Sequence, residues 1–443
     1  MKKDYLIPII ILLGILLRIF VYSSGIPFWG DEAALAINVM NKSYFELFKG
    51  LDYLQVAPPM FLVLSKFIMI NSIRDFSLRF IPLISGIISV PLFYKFITMY
   101  SNNKKVIYIS TFLFSFNTTA ILFCVQFKQY SFELLIALIL LIIFYKIIFQ
   151  KEFKWYYPIV IALSPWFSLS SSFIIGSYFF LILAKNPKLI FKTYVPFFIS
   201  FLVFYFISLK YMIHTNYGEM SSWWQNANGF IDLKRPSSIV TCIGGLFSFH
   251  IKFVFLYGSI IFFSLIKFNK KKIFLYLPIL LTFITSSFKL YPVSARLILF
   301  LLPFFVSLIA EYDWKFSKVY FTVVCSMSFI MSVYNISILP NIFPPTLIPK
   351  GAINIISTRL KTNEKIVFDH YFYGFYYYSD DKSNLILLKN GLDSKNHIKE
   401  IENLPSGRYY LITGDNFKDK LTKNIKILNV YKSSSIALYI EKQ

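Results

Sequence analysis

"PPMFLVLSKFIMI", residues 58–70, is apolar enough to enter a membrane yet too short to cross one. As a helix it would reach about 20 Å, against a hydrocarbon core of about 30 Å. It carries Lys66 and runs into "NSIRDFSLR" (71–79), with Arg74 and Arg79. Whether it crosses decides the side on which every later loop lies. Six basic segments supply the criterion: Lys2/Lys3, "SNNKK" (101–105), "KIIFQKEFK" (146–154), "AKNPKLIFK" (184–192), "KFNKKK" (267–272) and "WKFSK" (314–318). Short basic loops collect on the cytoplasmic side, so an even number of spans must separate each pair. A full span at 58–70 pushes 101–105 outside, whereas an interfacial or half-inserted helix keeps it in.

Working outward from that helix, the apolar runs count to about 11 spans, near 5–24, 79–100, 106–124, 131–149, 155–169, 171–184, 194–213, 246–266, 273–288, 295–311 and 318–338. The first, "YLIPIIILLGILLRIFVYSS", follows Lys2 and Lys3 as a signal peptide would. It lacks a small-residue cleavage site and precedes many further spans, so it reads as a retained helix. The N-terminus is then cytoplasmic, and the first outer loop, 23–78, holds juxtamembrane helices.

From about residue 349 the pattern turns mixed and charged, with 15 Lys/Arg and 10 Asp/Glu. "EKIVFDHYFYGFYYY", "NLILL", "RYYLITG" and "IKILNVYKSSSIALYIEK" read as strands. "GAINIISTRLK" and "SKNHIKEIENL" read as helices. The expected division is a transmembrane catalytic domain, 1–345, and a small C-terminal extracytoplasmic α/β domain, 346–443. The chain is read as an integral, multi-pass protein of the cytoplasmic (inner) membrane.

Composition agrees. Of 443 residues, 56% are hydrophobic and 15% charged, with mean hydropathy +0.60. A soluble globule could not hide that much apolar surface. The net charge of +23 would suggest nucleic acid in a soluble protein, but here much of the lysine sits in short loops beside apolar runs. It reads as a positive-inside signature facing anionic membrane lipids, with no nucleic-acid partner. Three cysteines, Cys124, Cys242 and Cys325, give neither a disulfide framework nor a metal spacing.

An acid is costly inside a span, so the positions of the acids are informative. Asp31, Glu32, Glu46, Asp52, Asp75, Glu133, Glu219 and Asp232 all map to the outer side, which makes that face the candidate working face. Asp31 and Glu32 stand in "PFWGDEAALAINV" (27–39), at the start of a helix-like pattern marked by Ala33, Ile37, Met40 and Tyr44. Asp31 could cap that helix or do chemistry, and the two do not exclude one another.

"QFKQYSFELL" (126–135) gathers Gln126, Lys128, Tyr130 and Glu133 at an outer junction. Lys128 and Tyr130 suit a phosphate, and Glu133 a metal or the lysine; an aromatic and basic membrane anchor is the plain alternative. "LYPVSARLILFLLP" (290–303) places Arg296 outside, against the charge bias, where it suits a lipid phosphate or simply snorkels. "HTNYGEMSSWWQNANGFIDLKR" (214–235) reads as an outer loop whose Trp223 and Trp224 could stack on a sugar or anchor at the interface.

In order, these motifs are an acidic "DE" pair after the first span, a Pro-Pro pair in "LQVAPPMFLVL", a basic-X-Tyr element in "FKQYSFELL" and the arginine of a late Pro-containing span, followed by a mixed α/β tail. The set resembles the GT-C superfamily of membrane glycosyltransferases, in the bacterial branch related to protein O-mannosyltransferases and lipid A aminoarabinose transferases. The resemblance covers about residues 5–340. It implies transfer of a sugar from a polyprenyl-phosphate donor to a glycan, lipid or protein acceptor on the extracytoplasmic face. It also implies Asp31 as general base supported by Glu32, and Lys128, Tyr130 and Arg296 on the donor phosphate. The cofactor is open between none and a divalent metal. Gln126 and Ala57 depart from the family pattern, which often has an acid at the first position and Lys or His at the second. Two other classes share some of these features: a lipid-linked glycan polymerase or ligase, and a lipid or sugar transporter or flippase. A transporter would show internal repeats and broken helices at the bilayer midplane, and no repeat is visible.

Overall fold

The computed structural model describes residues 5–232, 234–247, 270–310, 330, 364–368, 373–378, 385–387, 401–413, 425–432 and 436–442. The chain forms two compact units, Met1–Gly25 with Ala57–Lys210 and Trp224–Leu339, and Ile26–Val56 with Tyr211–Trp223 and Pro340–Gln443. This division does not follow a single boundary near 345: residues 26–56 and 211–223 group with the C-terminal region.

The first unit is helical. Its elements are α1 (Leu6–Ser23), then, after α2 (Gly30–Asn41) of the other unit, α3 (Pro59–Ile68), α4 (Arg74–Tyr100), α5 (Lys104–Ser115), α6 (Thr118–Phe123), α7 (Tyr130–Tyr145), α8 (Tyr157–Phe167), α9 (Ser171–Lys185) and α10 (Lys188–Phe204). α10 runs through a π-helical turn into α11 (Lys210–Asn226), most of which groups with the second unit, and α12 (Pro236–Gly245), α13 (Ile273–Ser287) and α14 (Leu302–Ala310) of the first unit follow. Among the described residues, four helical stretches are long and apolar enough to cross a membrane: Leu6–Ser23, Asn71–Tyr100, Tyr130–Gln150 and Lys188–His214.

Their burial separates inner from outer helices. The Tyr130–Gln150 stretch is 78% buried, whereas Leu6–Ser23 and Lys188–His214 are each 22% buried. Leu12, Leu16 and Phe20 of α1 and Phe198, Ile199 and Leu202 of α10 are exposed. Rows of large apolar side chains on an outer surface suit lipid, not water. The interior is aromatic: Phe93 stacks on Phe114 at 4.2 Å, and Tyr178 on Phe274 at 4.4 Å. The Tyr178 hydroxyl donates to the Phe274 carbonyl at 3.0 Å, so burial leaves no polar tip unpaired.

Two segments differ from the sequence-based expectation, and a third, α3, keeps to it. The span expected at 106–124 breaks at 116–117, because the Asn117 side chain accepts the Ala120 amide at 2.8 Å and starts α6 afresh. The outer loop expected from 214 is helical as far as Asn226, since no proline or strong turn signal interrupts it. The ten residues of α3 reach about 15 Å, too short to span. The spans expected at 246–266 and 318–338 and the helix at 351–361 fall wholly or mainly outside the described residues.

The second unit holds α2 and a five-stranded sheet of order β2-β1-β3-β5-β4. The strands are β1 (Lys365–Phe368), β2 (Leu385–Leu387), β3 (Gly407–Thr413), β4 (Ile425–Lys432) and β5 (Ile436–Lys442). β1 runs parallel to both β2 and β3, with Val367 opposite Ile386 and Leu411. β5 is antiparallel to β3 and β4. Val367, Ile401, Tyr409, Leu411, Ile425 and Ile440 form its core. In "EKIVFDHYFYGFYYY" Lys365–Phe368 is strand and Tyr373–Tyr378 forms a short helix, α15.

Candidate active site

α2 carries the two acids. It starts at Gly30, with Trp29 as N-cap in extended conformation. Asp31 therefore does not occupy the N-cap. The Glu32 carboxylate, buried, reaches back to accept the Trp29 amide at 3.4 Å, the return half of a capping box. Asp31, one residue earlier, is half-buried in the first turn, where the helix dipole favours an anion. The adjacent acids thus differ in surroundings.

The far end of α2 is tied down. Asn38 donates to the Asp52 carbonyl at 3.0 Å and accepts the Asp52 amide at 2.8 Å, and Lys42 pairs with Asp52 at 3.3 Å. The next two residues, Tyr53 and Leu54, have φ of 63° and 53°. Left-handed backbone at two successive non-glycine residues costs on the order of 1–3 kcal/mol each and persists only where packing enforces it.

In the first unit, Gln126, Lys128, Gln129, Tyr130, Ser131 and Glu133 are all buried. The Lys128 amide bonds to the Gln126 carbonyl at 2.7 Å in a tight turn, and α7 begins at Tyr130. Phe127 stacks on Phe61 of α3 at 5.8 Å, and Tyr130 meets Phe123 edge-on at 5.3 Å. The Gln126 Oε1 and Ser131 Oγ atoms have no hydrogen-bond partner among the described residues. Buried polar atoms are normally satisfied, so such density at the head of an apolar helix is unusual. Glu133 Oε1 accepts the Leu169 amide at 3.0 Å, which engages it with the turn between α8 and α9. No group of three or more His, Cys, Asp or Glu able to hold a metal occurs among the described residues.

Arg296 lies 5.4 Å from the Trp224 ring centroid, in cation–π range. A Cβ on Gly229 would come within 2.4 Å of the Trp224 ring, so glycine is required there for this packing. The Val293 amide bonds to the Gly229 carbonyl, fixing the segment before Arg296. On the same segment Tyr291 donates to the Leu297 carbonyl at 2.8 Å and meets Phe173 at 4.7 Å. Burial, then the charges of Glu133 and Tyr130, push the Tyr291 phenol well up. The Leu299–Leu301 turn that follows Arg296 packs on α7.

Lys128, Tyr130, Glu133 and Arg296 belong to one unit, and Asp31 and Glu32 to the other. Trp223 and Trp224 lie on a helix rather than in a loop, and Trp224 is packed against Arg296 rather than open to a sugar. One residue escaped the sequence reading. Arg18, buried in α1, donates from Nη1 to the Gly14 carbonyl and the Ser115 carbonyl, both at 2.8 Å. The second bond covers the end of α5. Its signal was plain, a lone arginine within an otherwise uncharged run.

No family model matches the chain, and none of the curated proteins matches it. Solved structures that are similar include the following two. One is a crystal structure of ArnT from Cupriavidus metallidurans bound to undecaprenyl phosphate, 8% identical over 97% of each chain, with a TM-score of 0.49. The other is a crystal structure of the Archaeoglobus fulgidus oligosaccharyltransferase in the apo form, 13% identical, with a TM-score of 0.49. That match takes in 85% of this chain and 64% of the other, so the chain spans less than two thirds of its length.

Proposed function

We propose that the chain is a multi-pass membrane glycosyltransferase of the GT-C type, which moves a sugar from a polyprenyl-phosphate donor to an acceptor hydroxyl on the extracytoplasmic face. The observation that carries this reading is the buried polar segment 126–133 at the head of an apolar helix, in which Lys128 and Tyr130 are both buried. A lipid-linked phosphate matches such a place, since its tail stays in hydrocarbon while its charge meets fixed cations.

In this reading Asp31 takes the proton of the acceptor hydroxyl. The acceptor oxygen bonds to the anomeric carbon, and the bond from that carbon to the phosphate oxygen breaks with its electron pair. Lys128, Tyr130 and Arg296 hold the phosphate as it leaves. Direct displacement inverts the anomeric centre. Glu32 keeps α2 in register through its bond to the Trp29 amide. The topology that goes with this reading has the N-terminus cytoplasmic and the C-terminal region outside.

The test is a panel of polyprenyl-phosphate sugars offered to the purified protein, with carrier release followed beside Asp31→Asn. A positioned base is worth about 10²- to 10⁴-fold, and a loss of that order is expected. An Asp31→Asn protein that folds normally and releases carrier at the parent rate overturns the assignment. A covalent glycosyl-enzyme intermediate overturns direct displacement.

A further inference from the structure

The aromatic run "YGFYYY" at 373–378 lies more than 300 residues beyond the acid pair, yet α15, which it forms, packs on α2 within the same unit. The Tyr377 ring lies 5.2 Å from Phe28. Phe28 is fully buried and stands two residues ahead of the first helical residue, Gly30, so its placement sets where α2 begins. The Tyr373 ring lies 5.1 Å from Tyr53, the first of the two residues held in left-handed backbone. Asp52, next to Tyr53, is bonded through both backbone groups to Asn38 of α2. The contacts close a ring: α15 holds Phe28 at the start of α2 and Tyr53 in the 50–55 segment, and that segment holds the far end of α2.

We propose that α15 positions the acid-bearing helix, which makes the C-terminal region a working part of the active site and Tyr373 and Tyr377 positioning residues for Asp31. The proposal rests on the reading of Asp31 as the base. Three features support it. Tyr373 and Tyr377 are themselves buried, so their rings are spent on packing and not offered to a ligand. The Tyr53 and Leu54 backbone is of the kind that survives only under external constraint, and the Tyr373 ring supplies one. The bond between Glu32 and the Trp29 amide fixes α2 relative to its own entry chain but cannot aim the helix; the Phe28 and Tyr377 pair does that. A misplacement of about 1 Å at a reacting group can lower a rate about 10²-fold.

The experiment measures kcat and KM for carrier release from one polyprenyl-phosphate sugar, using the full chain in detergent or nanodiscs. The variants are Tyr377→Ala, Tyr377→Phe, Asp31→Asn and the double variant Tyr377→Ala/Asp31→Asn, each with its unfolding temperature. Tyr377→Ala is expected to lower kcat by about 10- to 100-fold with the donor KM unchanged, because the phosphate-holding side chains belong to the other unit. Tyr377→Phe, which keeps the ring, is expected to recover most of the rate. In the Asp31→Asn background Tyr377→Ala is expected to cost nothing further, as residues acting through one group are not additive. A full additional loss in the double variant overturns the proposal, and so does a Phe variant as slow as the Ala variant. If Asp31→Asn is disabled but Tyr377→Ala runs at the parent rate, the proposal alone fails. If Asp31→Asn runs at the parent rate, the reading of Asp31 fails and takes the proposal with it. Should Tyr377→Ala not fold, Tyr373→Leu and Tyr377→Leu take its place under the same criteria.

Discussion

Asp31 and Glu32 share a sequence position to within one residue and differ in what surrounds them. Glu32 is buried with a backbone amide to accept, and Asp31 is half-buried at the helix start. Glu32→Ala is therefore expected to lower stability by about 1 kcal/mol, while Glu32→Gln, which keeps an acceptor oxygen, loses less; thermal unfolding in detergent measures both. That a pair of acids opens a helix is legible in the sequence. Which of them caps it is not, because the N-cap is Trp29, a residue type with no capping preference, and the natural reading puts the cap on the aspartate. Lys128 and Tyr130 are legible as a basic and aromatic motif, but their depth is not, since burial of Gln126, Ser131 and Glu133 beside them is set by helices distant in the chain. Lys128→Met is expected to raise the donor KM and weaken inhibition by free polyprenyl phosphate, with little change at saturating donor.

At the scale of elements, what the apolar runs leave open is where helices stop. The break at 116–117 is signalled by Asn117, which also donates to the Leu246 carbonyl at 3.0 Å, a partner 129 residues away that no local pattern shows. The helical 210–226 stretch is invisible for the opposite reason, because its polar composition reads as loop although nothing in it breaks a helix. Gly229→Ala is expected to lower stability by about 1–3 kcal/mol, the range for overpacking, and to move Trp224 from Arg296, read as a change in tryptophan fluorescence. The turn after α7 gives a pH prediction. Hydrogen bonds from Lys146, then Tyr157 and Lys154, hold the Glu152 carboxyl at about 2, below its ordinary 4.5. A carboxylate with a lowered pKa stabilises the fold above its unfolded value and loses that contribution as pH falls through the folded one. Protection of the 146–157 amides against hydrogen exchange is thus expected to decline between about pH 4.5 and about 2, and Glu152→Gln to remove that dependence. High salt should weaken the effect, because the carboxylate is partly open to solvent.

For the whole molecule, the count of apolar runs and the basic loops carry the proposed topology, and the grouping of residues does not follow from them. Residues 26–56 and 211–223 join the C-terminal region in one unit, an association between segments that composition places in different parts of the chain. Cysteines introduced at Asn102 and at Ser406, in a background without Cys124, Cys242 and Cys325, are expected to react with an impermeant maleimide from opposite sides of sealed vesicles, the first from the cytoplasmic face. Labelling of both from one face contradicts the topology. The most direct test of the account is single-turnover release of the carrier from one polyprenyl-phosphate sugar by the parent, Asp31→Asn and Glu32→Gln at matched unfolding temperature. The expected result is a loss of about 10²- to 10⁴-fold for Asp31→Asn with Glu32→Gln within a few-fold of the parent; the reverse order, or equal rates for all three, would contradict it.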